Sequence, residues 1–514
     1  MTIDRDHEDQ GCFASSEAPS RRDFGALAAS ALLSIGATTP VQPHQGLAEP
    51  KDVVLECGWA LVIDGPQDRE PRLIRDAQIL VRRGRVEEVR ASKIPGAHRI
   101  ALPNDLVLPG FISGHTHVAS GTPTRGLIEG GRTYRRPIEL VEELGPEDLD
   151  ALSALNLAEL VRSGCTTQVE MSLSLKQAES YTRVARRWGV RGYPGGMIPS
   201  TGRLFPIWYR GGDQELEDSV PDTLKEIEAN LAFGLREMNA EDGLIRPMMS
   251  PHATDTHTPQ TMSALIEAAK KLGTGLHIHL SQGARETATV KRLRGKTPTQ
   301  WLEELGALDA GPVFGAHMAG LDWSVDPDIL NRHGVVYAHC PSAGGAGASA
   351  QPFPEALSCG MNVNIGIDTH SNDYLENLKL AVLYGRMRAR LLKDGPRGAL
   401  PLPTIRQAVD AATLVPAKGL RRDDLGRIAQ GAAADLVSVD VTGLLSGTGV
   451  LPPEPLNLLL YANGRHVRNV MIAGRLLVEN FRLTFADEAR LMARAGVVQK
   501  RLWAQLEKEG WFKA

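Results

Sequence analysis

Through most of this chain, short apolar runs of strand composition alternate with longer stretches whose apolar residues recur at helical spacing. The runs Gly164–Glu170, Ile245–His252, Gly275–Leu280, Val313–His317, Gly334–His339 and Val363–Asp368 read as strands, and Pro146–Arg162 and Thr223–Met238 read as helices between them. That rhythm begins near Gly110 and fades near Pro416, and alternating β and α elements predict a parallel sheet wrapped by helices. Outside it the pattern changes. Val53–Ile63 and Ala77–Val89, broken by Gly65 and by Arg83-Gly84, have hairpin composition, and Asp435–Val439 with Val467–Ile472 return to it. The expected division is residues 50–108 and 416–481 as two halves of a small β-domain, 109–415 as a βα-repeat barrel, and 482–514 as a helical segment. Apolar residues at helical spacing among the charges of Asp487–Lys513 predict an amphipathic helix packed on the body.

The polar residues that end these strands carry the chemistry. The active face of a (β/α)8 barrel is the C-terminal rim of its strands. Pro109–His117 stops an apolar run at Pro-Gly and delivers His115 and His117, which on a strand face the same way. His279 and Asp368 end later strands, so four groups of zinc-ligand type converge despite their separation in sequence. Held together on one divalent cation, they would lower the pKa of a bound water towards about 7, with Asp368 placed to accept its proton. His277 faces the same side as His279, so one of the pair is the ligand and the other its support. His317 ends the next strand and suits polarising a carbonyl or moving a proton, with a purely structural histidine as the plainer reading. His252, after Ser250-Pro251, is a candidate for orienting substrate.

Composition narrows the partners. A chain of 514 residues exceeds what one core supports, and a net charge of −4 with scattered Lys and Arg excludes a basic nucleic-acid surface. A small-molecule substrate fits better, and a homo-oligomer stays open. Cys12, Cys57, Cys165, Cys340 and Cys359 are five, widely spaced and without a Cys-x-x-Cys pair, which indicates neither a disulfide framework nor a thiolate site. Residues 1–49 read as a signal and linker: Ser20-Arg21-Arg22-Asp23-Phe24 precedes a modest apolar run from Gly25 to Gly36, resembling a twin-arginine export signal and implying a periplasmic or exported protein. That run is too short and too rich in Ala and Gly for a stable membrane span.

Taken jointly, Pro109–His117, His279, His317 and Asp368 in this order resemble the amidohydrolase superfamily, in particular its aminohydrolases of nucleobase-like rings and its triazine chlorohydrolases. The similarity spans Val53–Glu479 and includes Gly426–Val437. It implies an α/β fold, a distorted (β/α)8 TIM barrel with a small β-sandwich built from both ends of the chain. It also implies one divalent metal on His115, His117, His279 and Asp368, zinc first, with iron, manganese or cobalt equally suited by ligand type. His252 and His317 become the substrate and proton-handling residues. Two departures stand out. Three residues past His279, where the family's deaminases carry a proton-shuttling glutamate, this chain has Gln282, an amide that only hydrogen-bonds. Glu286, one turn on, is a potential substitute. After Asp368 comes a bulky His370, a candidate substrate contact, and Cys340-Pro341-Ser342 runs into a stretch of very small residues. No lysine stands at a strand end to bridge two metals, so one metal is expected.

The expected activity is metal-dependent hydrolysis of a carbon–nitrogen bond, other than a peptide bond, in a small cyclic or amidine-like molecule. Hydrolytic loss of a halide or thioether from such a ring uses the same groups. A reading of a different class is an exported binding protein whose catalysis is impaired by Gln282.

Overall fold

The computed structural model describes residues 52–63, 71–96, 98–127, 132–210, 213–238, 243–346 and 351–513; Arg21-Arg22 and Cys12 lie outside them. Eight parallel strands line the barrel. They are β1 (Phe111–Thr116), β2 (Cys165–Ser172), β3 (Arg191–Ile198), β4 (Ser250–Pro251), β5 (Leu276–Leu280), β6 (Val313–His317), β7 (Val336–His339) and β8 (Asn362–Ile365). Pairing runs in order from β1 to β4 and from β5 to β8. Single bridges then close both seams: Met249 with Leu276 and Ala253 with His279 on one side, Thr116 with Asp368 on the other. At the second seam the amides of Ile367 and Asp368 donate to the carbonyl of His115, and the amide of His117 donates to that of Asp368. Closure of the ring is thus what carries Asp368 to the histidine pair.

Nearly every residue of these strands is buried, because helices cover the outside and side chains fill the inside; this is why they read as continuous apolar runs. β3 escapes that pattern. Its sequence Arg-Gly-Tyr-Pro-Gly-Gly-Met-Ile counts against a strand, yet the glycines answer to crowding. A Cβ at Gly192 would lie 2.1 Å from the Tyr181 hydroxyl, and one at Gly195 would lie 2.3 Å from the Met248 carbonyl. The helices start and stop conventionally. Pro146–Arg162 has Pro at its first position, Glu147 and Asp148 in its first turn and Arg162 in its last, each suited to the helix dipole.

Apart from a short hairpin of Asp394–Gly395 with Gly398–Ala399, the other described strands form one nine-stranded mixed sheet in which Leu436–Asp440 and Val467–Ile472, from the C-terminal part, continue directly from His98–Pro109. One apolar cluster in it joins Val53, Leu55 and Ile79 to Ile428, Leu436 and Met471. Only Gly110 separates His98–Pro109 from β1, and its amide donates to Asp435. Asp435 in turn pairs with Arg191 at the start of β3 at 2.8 Å, both side chains buried. The helix Glu488–Lys508 packs Ala495, Val498, Leu502 and Leu506 on Leu140, Val141, Leu149 and Leu152. Among the described residues the four cysteines are buried free thiols, and no helix is long and apolar enough to cross a membrane.

Candidate metal centre

β1 presents His115 and His117 two residues apart, β5 presents His279, and Asp368 follows β8 at the closing seam. One nitrogen from each of His115, His117 and His279 lies within 4.8 Å of the others; His115, His317 and Asp368 form a second such group sharing His115. The hydrogen bonds fix which nitrogens are bare. Nδ1 of His117 donates to the Met171 carbonyl at 2.5 Å, and Nδ1 of His279 donates to the His252 carbonyl at 3.0 Å. A carbonyl only accepts, so in each neutral ring Nε2 carries a lone pair and no proton. These two Nε2 atoms face each other at 3.4 Å. Two lone pairs aimed at one point call for a cation between them.

His115 completes the set. Its Nδ1 lies 2.8 Å from Nε2 of His277, and its own Nε2 is buried without a hydrogen-bond partner. When Nδ1 donates to His277, Nε2 is the third bare nitrogen; of the pair on β5, His279 is the one that groups with His115 and His117, and His277 is the one that backs His115. Asp368 places Oδ1 3.5 Å from Nε2 of His117. Burial holds the pKa of His115 and His279 well below the ordinary range and lowers that of His117, where the Asp368 carboxylate partly opposes it. Neutral imidazoles are the form that binds metal. The donor set therefore fits one divalent ion of zinc type.

The other expected residues separate into two groups. His317 stacks on His279 with ring centroids 5.2 Å apart and points Nε2 at Oδ2 of Asp368, 3.9 Å away. His252 lies edge-on to His279 at 5.1 Å, with its pKa pushed down to about 3 by burial. His317 and Asp368 both adopt positive φ, 79° and 64°, a strained backbone that clusters where geometry matters more than local comfort. His370, by contrast, lines a charged cleft of about 630 Å³ with Arg125, Glu159, Asn372 and Arg465. Gln282 is half-buried and gives its backbone amide to Glu286 at 2.7 Å. The Glu286 carboxylate also accepts from the amide and hydroxyl of Thr254, so it ties the loop after His279 to the loop after His252. Burial, with Asp255 nearby, pushes its pKa up to about 7.

A supporting residue beside His117 went unassigned in the sequence. Glu170, near the end of β2, accepts from the Thr116 hydroxyl at 2.5 Å, from the Val118 amide and from Ser172, and so clamps both sides of His117. It is fully buried, which pushes its pKa up to about 7. The signal was a carboxylate at the C-terminal end of an expected strand, where the other polar residues of the site also lie.

The amidohydrolase family matches this chain over residues 106–477. The chain is 31% identical over 402 residues to a 5-methylthioadenosine/S-adenosylhomocysteine deaminase of Desulfitobacterium hafniense, covering 76% of this chain and 85% of that one. It is 30% identical over 405 residues to a 5'-deoxyadenosine deaminase of Methanopyrus kandleri, covering 76% and 84%. Among solved structures, an adenosine deaminase from Xanthomonas campestris with bound zinc shares the fold with a TM-score of 0.72 at 24% identity, over 89% of this chain and 99% of that one. The zinc complex of an atrazine chlorohydrolase from Arthrobacter aurescens gives 0.72 at 21% identity, over 87% and 100%.

Proposed function

The chain belongs to the amidohydrolase family and is a hydrolase of carbon–nitrogen bonds, and from that premise we propose a mononuclear metal-dependent aminohydrolase of a small nitrogen ring, with 6-aminopurine nucleosides as the first substrates to test. The observation that carries this reading is the meeting of two bare imidazole nitrogens at 3.4 Å beside a partnerless His115 Nε2 and the Asp368 carboxylate. A divalent metal held by His115, His117, His279 and Asp368 supplies a Lewis acid and a water ionised near neutral pH. Asp368 takes the proton of the attacking water, because its Oδ2 points away from the His117 contact and towards His317. His317 hydrogen-bonds the atom that gains charge, and His252 packs against His279 to shape the ring's approach. The burial of His115, His117, His279 and His317 strengthens each electrostatic contact.

Gln282 sets the limit on rate. Where the family resemblance implies a proton-carrying glutamate, an amide orients a ring nitrogen without protonating it, and loss of a general acid costs about 10²–10⁴ in rate. The same observation favours a second reading, release of a halide or thioether, whose departure needs less proton assistance. Ammonia release from a panel of 6-aminopurine nucleosides, run beside chloride and thiol release from substituted triazines, separates the two. The proposal expects ammonia in step with substrate loss and a further gain in Gln282→Glu; turnover confined to halide or thioether substrates contradicts it.

A further inference from the structure

Behind the site, the Gln351 side chain, which also meets His339, makes two hydrogen bonds whose directions can be assigned. The amide of Cys340 donates to Oε1 of Gln351 at 2.5 Å. A backbone amide only donates, so the carboxamide oxygen is on that side and Nε2 is on the other, 3.3 Å from Nδ1 of His317. An amide nitrogen also only donates. Nδ1 of His317 is therefore the bare nitrogen, and the one proton of the neutral ring sits on Nε2, which faces Asp368. The side chain of Gln351 is buried, and the small residues after Cys340 make room for it: a Cβ on Gly344 would lie 3.1 Å from its Cγ. The run of small residues noted in the sequence thus acquires a purpose.

We propose that Gln351 is a positioning residue that fixes His317 in the Nε2–H tautomer, so that His317 enters the reaction as a hydrogen-bond donor and leaves proton abstraction to Asp368. This rests on the aminohydrolase reading of the same site. A ring held this way presents its N–H to the developing negative charge without a tautomer change. Its partner at Nδ1 plays the part that carbonyls play for His117 and His279, with the opposite sign: a donor there keeps Nδ1 bare, whereas an acceptor keeps Nε2 bare.

The test is nitrogen-15 NMR of histidine-labelled protein, metal-free and zinc-loaded, with the His317 ring signals assigned by their loss in His317→Asn. In the wild type His317 carries its proton on Nε2. Gln351→Glu places an acceptor at Nδ1 and moves the proton there, and Gln351→Met, which removes the donor at similar volume, gives a mixture. Both variants keep their zinc and lose about 10- to 100-fold in kcat with KM little changed. A wild-type His317 protonated on Nδ1, or an unchanged tautomer in both variants, overturns the proposal, and so does a fall in Tm with the tautomer intact. If the wild type turns over no ring substrate, the functional reading fails, while the NMR result still decides the role of Gln351.

Discussion

His277 shows how much of this site depends on groups that touch no substrate. Its Nε2 accepts from His115 in the one arrangement that leaves His115 able to bind metal. His277→Phe keeps the ring volume and removes the acceptor, and should weaken zinc affinity by about 10- to 100-fold with the fold intact, as a competition titration with a chelating dye would read. Glu170→Gln should act in the same direction. Its new amide nitrogen takes one of the two oxygen positions that accept from Thr116, Val118 and Ser172, so the clamp on the strand carrying His117 is weakened. Asp368→Asn has a different signature: a neutral amide cannot accept the water's proton, so turnover should collapse by far more than metal content does. The histidines and Asp368 were legible in the sequence because strand ends are where apolar packing cannot explain a polar residue. Glu170 and Gln351 were not assigned, because their partners lie 54 and 34 residues away and only the folded ring brings them together.

At the scale of elements, β3 and the sheet junction are informative. Seven of the eight barrel strands follow from apolar runs; β3 does not, because its glycines are set by Tyr181 and Met248 and not by strand propensity. Gly192→Ala should accordingly destabilise the protein through that clash rather than through lost flexibility. The Arg191–Asp435 pair ties β3 to the segment that leads back into the nine-stranded sheet. With both partners buried, Asp435→Asn leaves an uncompensated guanidinium and should cost about 3–5 kcal/mol in urea unfolding. Replacing both by apolar residues of similar size should recover much of that loss. Equal losses in the single and double variants would show that the pair is not a unit.

Across the whole molecule, the buried imidazoles make stability depend on pH in a definite direction. His115, His117, His252, His257, His277, His279, His317 and His339 all have folded pKa values lowered by burial. Each stays neutral in the fold but takes up a proton on unfolding below about pH 6.5, so stability is lost as pH falls. Glu170 and Glu286, raised to about 7, and Asp255, raised to about 6, act in the opposite sense, since they hold protons in the fold above the ordinary carboxylate range and contribute less stability as pH rises through it; Asp105, Glu142, Asp326, Asp373 and His333, also raised, act with them. Between pH 7 and pH 5 the eight imidazoles outnumber the three carboxylates raised to about 6 or 7, and the Tm of metal-free protein should fall across that window; a flat or rising Tm would show these rings to be charged in the fold. Export is a separate proposal carried by Arg21-Arg22, and Lys at both positions should retain the protein in the cytoplasm on cell fractionation.

All of this turns on one site holding one metal. The most direct measurement is zinc stoichiometry by elemental analysis after loading and exhaustive dialysis, for the wild type and for the His115→Ala/His117→Ala double variant. One zinc per wild-type chain and none in the variant is the predicted result. Full metal content in the double variant, or none in the wild type, would contradict the assignment.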